Sequence, residues 1–174
     1  MSPAPKATVA VAAEGTVRGY ASLFGRLDTS GDIVERGAFA RTLRERGAGG
    51  IRMLWQHDPK APIGVWTRIA EDERGLLVEG RLALSSARGR EAFELVRAGA
   101  VDGLSIGFRT RKARREAGGA RRVLDVDLWE VSIVTFPMQS LARLSTRSKR
   151  AMAETLRERL LAAARTMAGA PATA

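Results

Sequence analysis

Residues 122–135, RVLDVDLWEVSIVT, constrain this chain more than any other segment. β-Branched and large apolar residues recur through it, which predicts a strand. Pro137 lacks the N–H that a hydrogen-bond ladder needs, and so it ends the run. A period of two places Leu128, Glu130 and Ser132 on one face and Trp129, Val131 and Ile133 on the other. A glutamate in the middle of so apolar a strand is unusual, because burying an unpaired carboxylate is costly. Glu130 either faces solvent or has a partner.

The rest of the chain reads as short elements separated by turn chemistry. Thr16–Phe24 alternates as a strand with a bulge, and the Gly- and Asp-dense stretch after it predicts a long loop. A helix is expected over Ala38–Arg46, where Phe39 and Leu43 are four apart. Ile51–Trp55 is a short apolar strand, followed by a loop that Pro59 and Pro62 hold extended. Ile63–Ala70 and Gly75–Leu84 predict a hairpin turning through EDERG. Ser86–Ala98 is an amphipathic helix with Ala92, Phe93 and Val96 on one face and Gly99 at its C-terminal cap. Val101–Thr110 is a strand, and Arg111–Arg122 a mobile basic loop.

This order predicts an α+β fold: a small, mostly antiparallel sheet or barrel flanked by two or three helices. The expected domain is residues 15–146. Residues 1–14 form a flexible arm, and 147–174 hold a basic linker, an amphipathic helix and a disordered tail. That helix, Ala151–Met167, carries Met152, Leu156, Leu160 and Met167 in one stripe, and an isolated helix of this length needs a partner.

Composition narrows the chemistry. Hydrophobic residues make up 45%, enough for a core, and the net charge of +10 suits an acidic partner such as nucleic acid or an acidic protein. Cysteine is absent, which excludes thiol catalysis, disulfides and Cys-based zinc sites. No apolar run approaches the ~20 residues of a membrane span, and the N-terminal stretch is too weak for a signal peptide. The expectation is a soluble, intracellular protein with no membrane contact.

There is one histidine, His57, at a strand end. It is either a surface residue or a general base, since imidazole titrates near neutrality. A lone His without Cys makes a poor metal site, and neither metal nor cofactor is expected. Ser105 lies in Gly103-Leu104-Ser105-Ile106-Gly107-Phe108. The glycines at plus and minus two would let a backbone approach closely. Strand-like residues on both sides argue against the strand–turn–helix elbow that G-x-S-x-G marks in α/β-hydrolases. Ser105 is thus either a buried strand serine or a nucleophile. Carboxylates able to orient His57 are several: Asp58 beside it, Asp28 and Asp32 in the Gly-rich loop, and Asp125, Asp127 and Glu130 on the last strand.

In order along the chain, GYASLFGRLDTSGDIVERGAF, MLWQHDPKAPIG, GLLVEGRL, ELVRAGAVDGLSIGF and LWEVSIVTFPMQSLARL resemble the prohead protease family of tailed phages, which is similar in fold to the herpesvirus assemblins. The resemblance covers about residues 17–144. It implies a serine endopeptidase that cleaves scaffold, capsid protein and often itself inside the immature capsid, in the host cytoplasm. It puts the family's His on His57 and its Ser on Ser105. The second His of the assemblins has no counterpart here, so a carboxylate is expected as third member, with Glu130 as the choice. The triad predicts His57 and Ser105 on adjacent strands, within or near hydrogen-bond reach. Self-association is compatible with the C-terminal stripe, and self-cleavage is expected near residues 140–150. The rival reading is a non-catalytic scaffold or DNA-packaging protein. It draws on the charge and on RTRKARREAGGARR, but that run has no aromatic to stack a base, so DNA binding is not favoured.

Overall fold

A computed structural model describes residues 10–11 and 15–145. Its strands are β1 (Ala10–Val11), β2 (Thr16–Leu23), β3 (Asp32–Val34), β4 (Arg52–Trp55), β5 (Asp58–Glu71), β6 (Gly75–Leu82), β7 (Gly103–Arg115) and β8 (Arg121–Val134). The helices are α1 (Ala40–Arg46) and α2 (Ala87–Ala98). The strands form one mixed sheet in the order β1-β2-β6-β5-β4-β8-β3, with β7 paired to β8.

β8 organises the sheet. Along one edge it takes two parallel partners, β3 at Arg121–Val123 and β4 at Glu130–Ile133. Along the other edge β7 runs antiparallel for its whole length. Beyond β8 the chain doubles back, and Ala142–Ser145 lies between β2 and β7. Leu104 N–H donates to Ala142 O (2.9 Å), Leu144 N–H to Asp102 O (2.8 Å), and Ser145 N–H to Arg18 O (2.8 Å). Gly19 bridges Leu144, and Gly103 bridges Arg143. Gly19 must be glycine, since a Cβ there would stand 2.7 Å from Leu144 Cα. These contacts draw the two ends of the sheet together and curl it around a core that includes Val17, Phe39, Met53, Ile63, Leu76, Leu104, Val131 and Ile133.

The helices follow their local signals. Ser86 caps α2 by accepting from Gly89 N–H at 3.0 Å. Gly99 ends it in the left-handed conformation (φ 77°), and Ala92 and Val96 face the core. α1 packs on β8, where the buried Thr42 hydroxyl donates to Val126 O at 2.6 Å.

Four expectations change. The expected loop after β2 contains β3; apart from these four, Ala10–Val11 pairs with Val17–Arg18. Pro59 and Pro62 lie within β5, where its pairing to β4 is irregular. The basic segment is not a loop as far as Arg115: Lys112, Ala113, Arg114 and Arg115 pair with Asp125, Val123, Arg122 and Arg121. A long cross-strand ladder overrides the low strand propensity of these residues. Finally, the register jumps from Gly107↔Glu130 to Phe108↔Leu128, so Trp129 bulges outward. Leu128 therefore joins Val131 and Ile133 in the core, and Trp129 is exposed. The C-terminal helix expected over Ala151–Met167 lies outside the described residues.

Candidate active site

His57 stands on the two-residue turn between β4 and β5, where Trp55 pairs with Asp58. Both turn residues have positive φ, 53° at Gln56 and 62° at His57. A tight hairpin turn asks for this geometry, but Asn-Gly supplies it at far lower cost than Gln-His. Each such non-glycine residue costs about 1–2 kcal/mol, and specific bonds hold the pair in place. Gln56 N–H donates to Ile133 O at 3.0 Å. Its side chain donates to Thr135 Oγ1 (2.8 Å) and accepts from Thr135 N–H (3.1 Å). His57 N–H donates to Ser132 Oγ at 3.1 Å.

The bulge at Trp129 puts Glu130 and Ser132 on the face away from the core, beside this turn. His57 Nδ1 lies 2.6 Å from Glu130 Oε1. A carboxylate only accepts, so Nδ1 carries the proton and Nε2 keeps a free lone pair. The second carboxylate oxygen, Oε2, accepts from Ser132 Oγ at 2.6 Å. The bond from Glu130, reinforced by its charge, holds the imidazole proton more tightly than in free histidine. The pKa of His57 lies above its ordinary value near 6.5, although burial pulls the other way.

Ser105 is on β7, directly across from Ser132. Residues so opposed have Cβ atoms about 4.5–5.5 Å apart, so Ser105 is roughly one side chain from the His57–Glu130 pair. Its Oγ is buried and makes no hydrogen bond. His57 and Ser105 are not on adjacent strands, contrary to expectation, because β8 runs between β4 and β7. Nor is Ser105 hydrogen-bonded to His57. Bonds of this kind are often long or unformed without substrate.

The glycines flanking Ser105 have local tasks. A Cβ on Gly107 would collide with Glu130 Oε1 and stand 2.7 Å from its Cδ. Gly107 is thus the floor on which the carboxylate lies. A Cβ on Gly103 would meet Pro137 Cδ at 2.8 Å. The spacing that imitates G-x-S-x-G comes from packing on either side of Ser105.

The other candidate carboxylates are engaged elsewhere. Asp58 accepts from Lys60 N–H, and Asp28 from the N–H groups of Ser30 and Asp32. Asp32 pairs with Arg121, Asp125 with Arg41, and Asp127 with Arg46 and Arg111. Sequence reasoning gave Ser132 and Gln56 no role. The one available signal was the period of two that set Ser132 beside Glu130.

The curled sheet has the fold of a known capsid assembly protease. The bacteriophage T4 capsid assembly protease superposes with a TM-score of 0.57 at 12% identity, covering 70% of this chain and 82% of that one. A KSHV protease bound to a peptide phosphonate aligns with a TM-score of 0.48 at 11% identity, over 74% of this chain and 62% of its own. The sequence model of the caudovirus prohead serine proteases matches residues 5–158, and the chain belongs to that family. The prohead protease of Enterobacteria phage HK97 is 31% identical over 148 residues, 83% of this chain. The capsid polyprotein of Pseudomonas phage PAJU2 is 31% identical over 103 residues, 55% of this chain. The chain spans 65% of the length of the first and 15% of the second.

Proposed function

We propose that this protein is a serine endopeptidase that cleaves scaffold and capsid protein, and itself, inside the immature capsid in the host cytoplasm. Ser105 is the nucleophile, His57 the general base, and Glu130 the carboxylate that orients and charges the base. The observation that carries the reading is the 2.6 Å bond from His57 Nδ1 to Glu130, next to an unbonded serine on the neighbouring strand of the same sheet. As Ser105 Oγ attacks the scissile carbonyl, His57 Nε2 takes its proton and Glu130 stabilises the imidazolium. The tetrahedral intermediate collapses, the amine leaves with that proton, and water releases the acyl group by the same route.

We assign the activity to the unit expected over 15–146 and propose that the segment 147–174, which lies outside the described residues, docks on scaffold or on another copy. The position of the self-cut can be narrowed. Ala142 and Leu144 are buried, and 142–145 are bonded to β2 and β7. A cut there would open the sheet, so processing belongs beyond Ser145.

The test is covalent labelling of the full chain by a fluorophosphonate, read by intact mass. The wild type should gain one adduct on Ser105, with fluoride as leaving group, and Ser105→Ala should gain none. The wild type alone should also lose a C-terminal fragment. Equal labelling of the two proteins would overturn the assignment and leave the scaffold or packaging reading.

A further inference from the structure

Resting on that peptidase reading, we propose that Ser132 is a positioning residue that fixes His57 from two sides at once. Its hydroxyl donates one bond and accepts one, both within the His57–Glu130 pair. The proton goes to Glu130 Oε2 (2.6 Å) and the oxygen accepts from His57 N–H (3.1 Å). One side chain thereby ties the backbone of His57 to the carboxylate that holds its ring. Ser132 is fully buried in the middle of β8, between Ser105 on β7 and Leu54 on β4. A strand centre bonded along both edges moves less than a turn.

The need for such a tie follows from the turn itself. Gln56 and His57 both adopt a conformation that their side chains disfavour. Gln56 is secured by Ile133 O and Thr135, and His57 by Ser132 and Glu130. Without the Ser132 hydroxyl, the N–H of His57 loses its acceptor and Glu130 loses the donor that fixes its rotation. Nδ1 and Oε1 can then drift apart while the strand stays in place. Ser132 makes no hydrogen bond to Ser105 Oγ, and its hydroxyl is bonded to His57 and Glu130, so its effect on the reaction passes through His57.

Because His57 is the one histidine of the chain, its ring protons can be followed without ambiguity. The experiment compares full-length wild type, Ser132→Ala, Ser132→Thr and Ser105→Ala. It uses proton NMR of the Nδ1–H resonance, the fluorophosphonate labelling rate of Ser105, and thermal unfolding to check folding. The wild type and Ser105→Ala should show a downfield Nδ1–H signal, the mark of a short bond to a carboxylate. Ser132→Ala should remain folded, lose or broaden that signal, and label more slowly by roughly tenfold to a hundredfold, the scale of a small misplacement of a catalytic group. The change should fall on the maximal labelling rate and not on the concentration for half saturation. Ser132→Thr, which restores a hydroxyl, should recover the signal. A folded Ser132→Ala with an unchanged signal, or with slowed labelling but an unchanged signal, overturns the proposal. A wild type that shows the signal but never labels Ser105 overturns the peptidase reading instead.

Discussion

The two halves of the β7–β8 hairpin are built from the same ladder and spend their polar residues differently. In the inner half, Ser105, Glu130 and Ser132 are buried, and Glu130 and Ser132 both bond to a single residue, His57, the first at its ring and the second at its backbone N–H. In the outer half, charges of both signs pair with one another on half-exposed surface, and the buried Asp127 is shared by several arginines. Arg111 pairs with Asp127, and Arg122 with Glu35 and Glu116. Solvent-exposed ion pairs contribute about 0–1 kcal/mol each. A buried carboxylate costs stability unless each of its oxygens is answered. The contrast lies in what the buried polar groups face: Glu130 and Ser132 are tied to the histidine and to each other, whereas Asp127 is tied to arginines.

The sharpest way to break the contrast is at Glu130. Glu130→Gln should stay folded but lower the labelling rate of Ser105 by about a thousandfold or more, as loss of the orienting carboxylate does in other triads. Its pH profile should move as well. The base must be neutral to act, and Glu130 raises the pKa of His57, so the wild-type rate should climb with a midpoint above 6.5. In Glu130→Gln that midpoint should fall towards 6.5. The same shift acts on stability with a definite sign. The folded pKa is raised, so the contribution of His57 is complete below about pH 6.5 and is lost as pH rises through the folded value. Denaturation midpoints of wild type and Glu130→Gln should therefore converge at alkaline pH. Full activity in Glu130→Gln would remove the carboxylate from the mechanism, since Asp28, Asp32 and Asp58 are bound elsewhere.

Gly107 gives an intermediate effect. In Gly107→Ala the new methyl occupies the position of Glu130 Oε1, so either the carboxylate or the strand must shift. The expected result is a loss of about 1–3 kcal/mol in chemical denaturation, with a lower labelling rate and an altered His57 Nδ1–H resonance. A variant with unchanged resonance and rate would show that Glu130 has another resting place.

The smallest effect belongs to the outer half. Arg111→Ala should change unfolding free energy by no more than about 1 kcal/mol and leave the labelling rate alone. A large loss of activity there would join the two halves into one functional unit and end the comparison.

Much of the local structure was legible in the chain. The α2 helix is written in its Ser86 cap, its apolar stripe and Gly99. The β5–β6 hairpin is written in two alternating runs around a charged turn. Glu130 drew notice because a carboxylate is costly in an apolar strand. His57 and Ser105 stood out together through the ordered motif blocks, and neither did so alone. These signals are local, because caps, turns and periodicity act over a few residues whatever the remainder of the chain does.

Tertiary structure decided what depends on a distant partner. Three residues of β3 are a strand only because Arg121–Val123 lies beside them. The basic run to Arg115 is strand only because β8 pairs with it. The bulge at Trp129, invisible to a strict period of two, sends Leu128 to the core and leaves Glu130 facing His57. Ser132 gained its place from the same register, and Ala142–Ser145 closes the curl by bonding to strands far away in sequence. Residue types and local propensity are carried by the sequence. Which strand meets which, and in what register, is fixed only when the whole sheet satisfies its hydrogen bonds and buries its apolar face together.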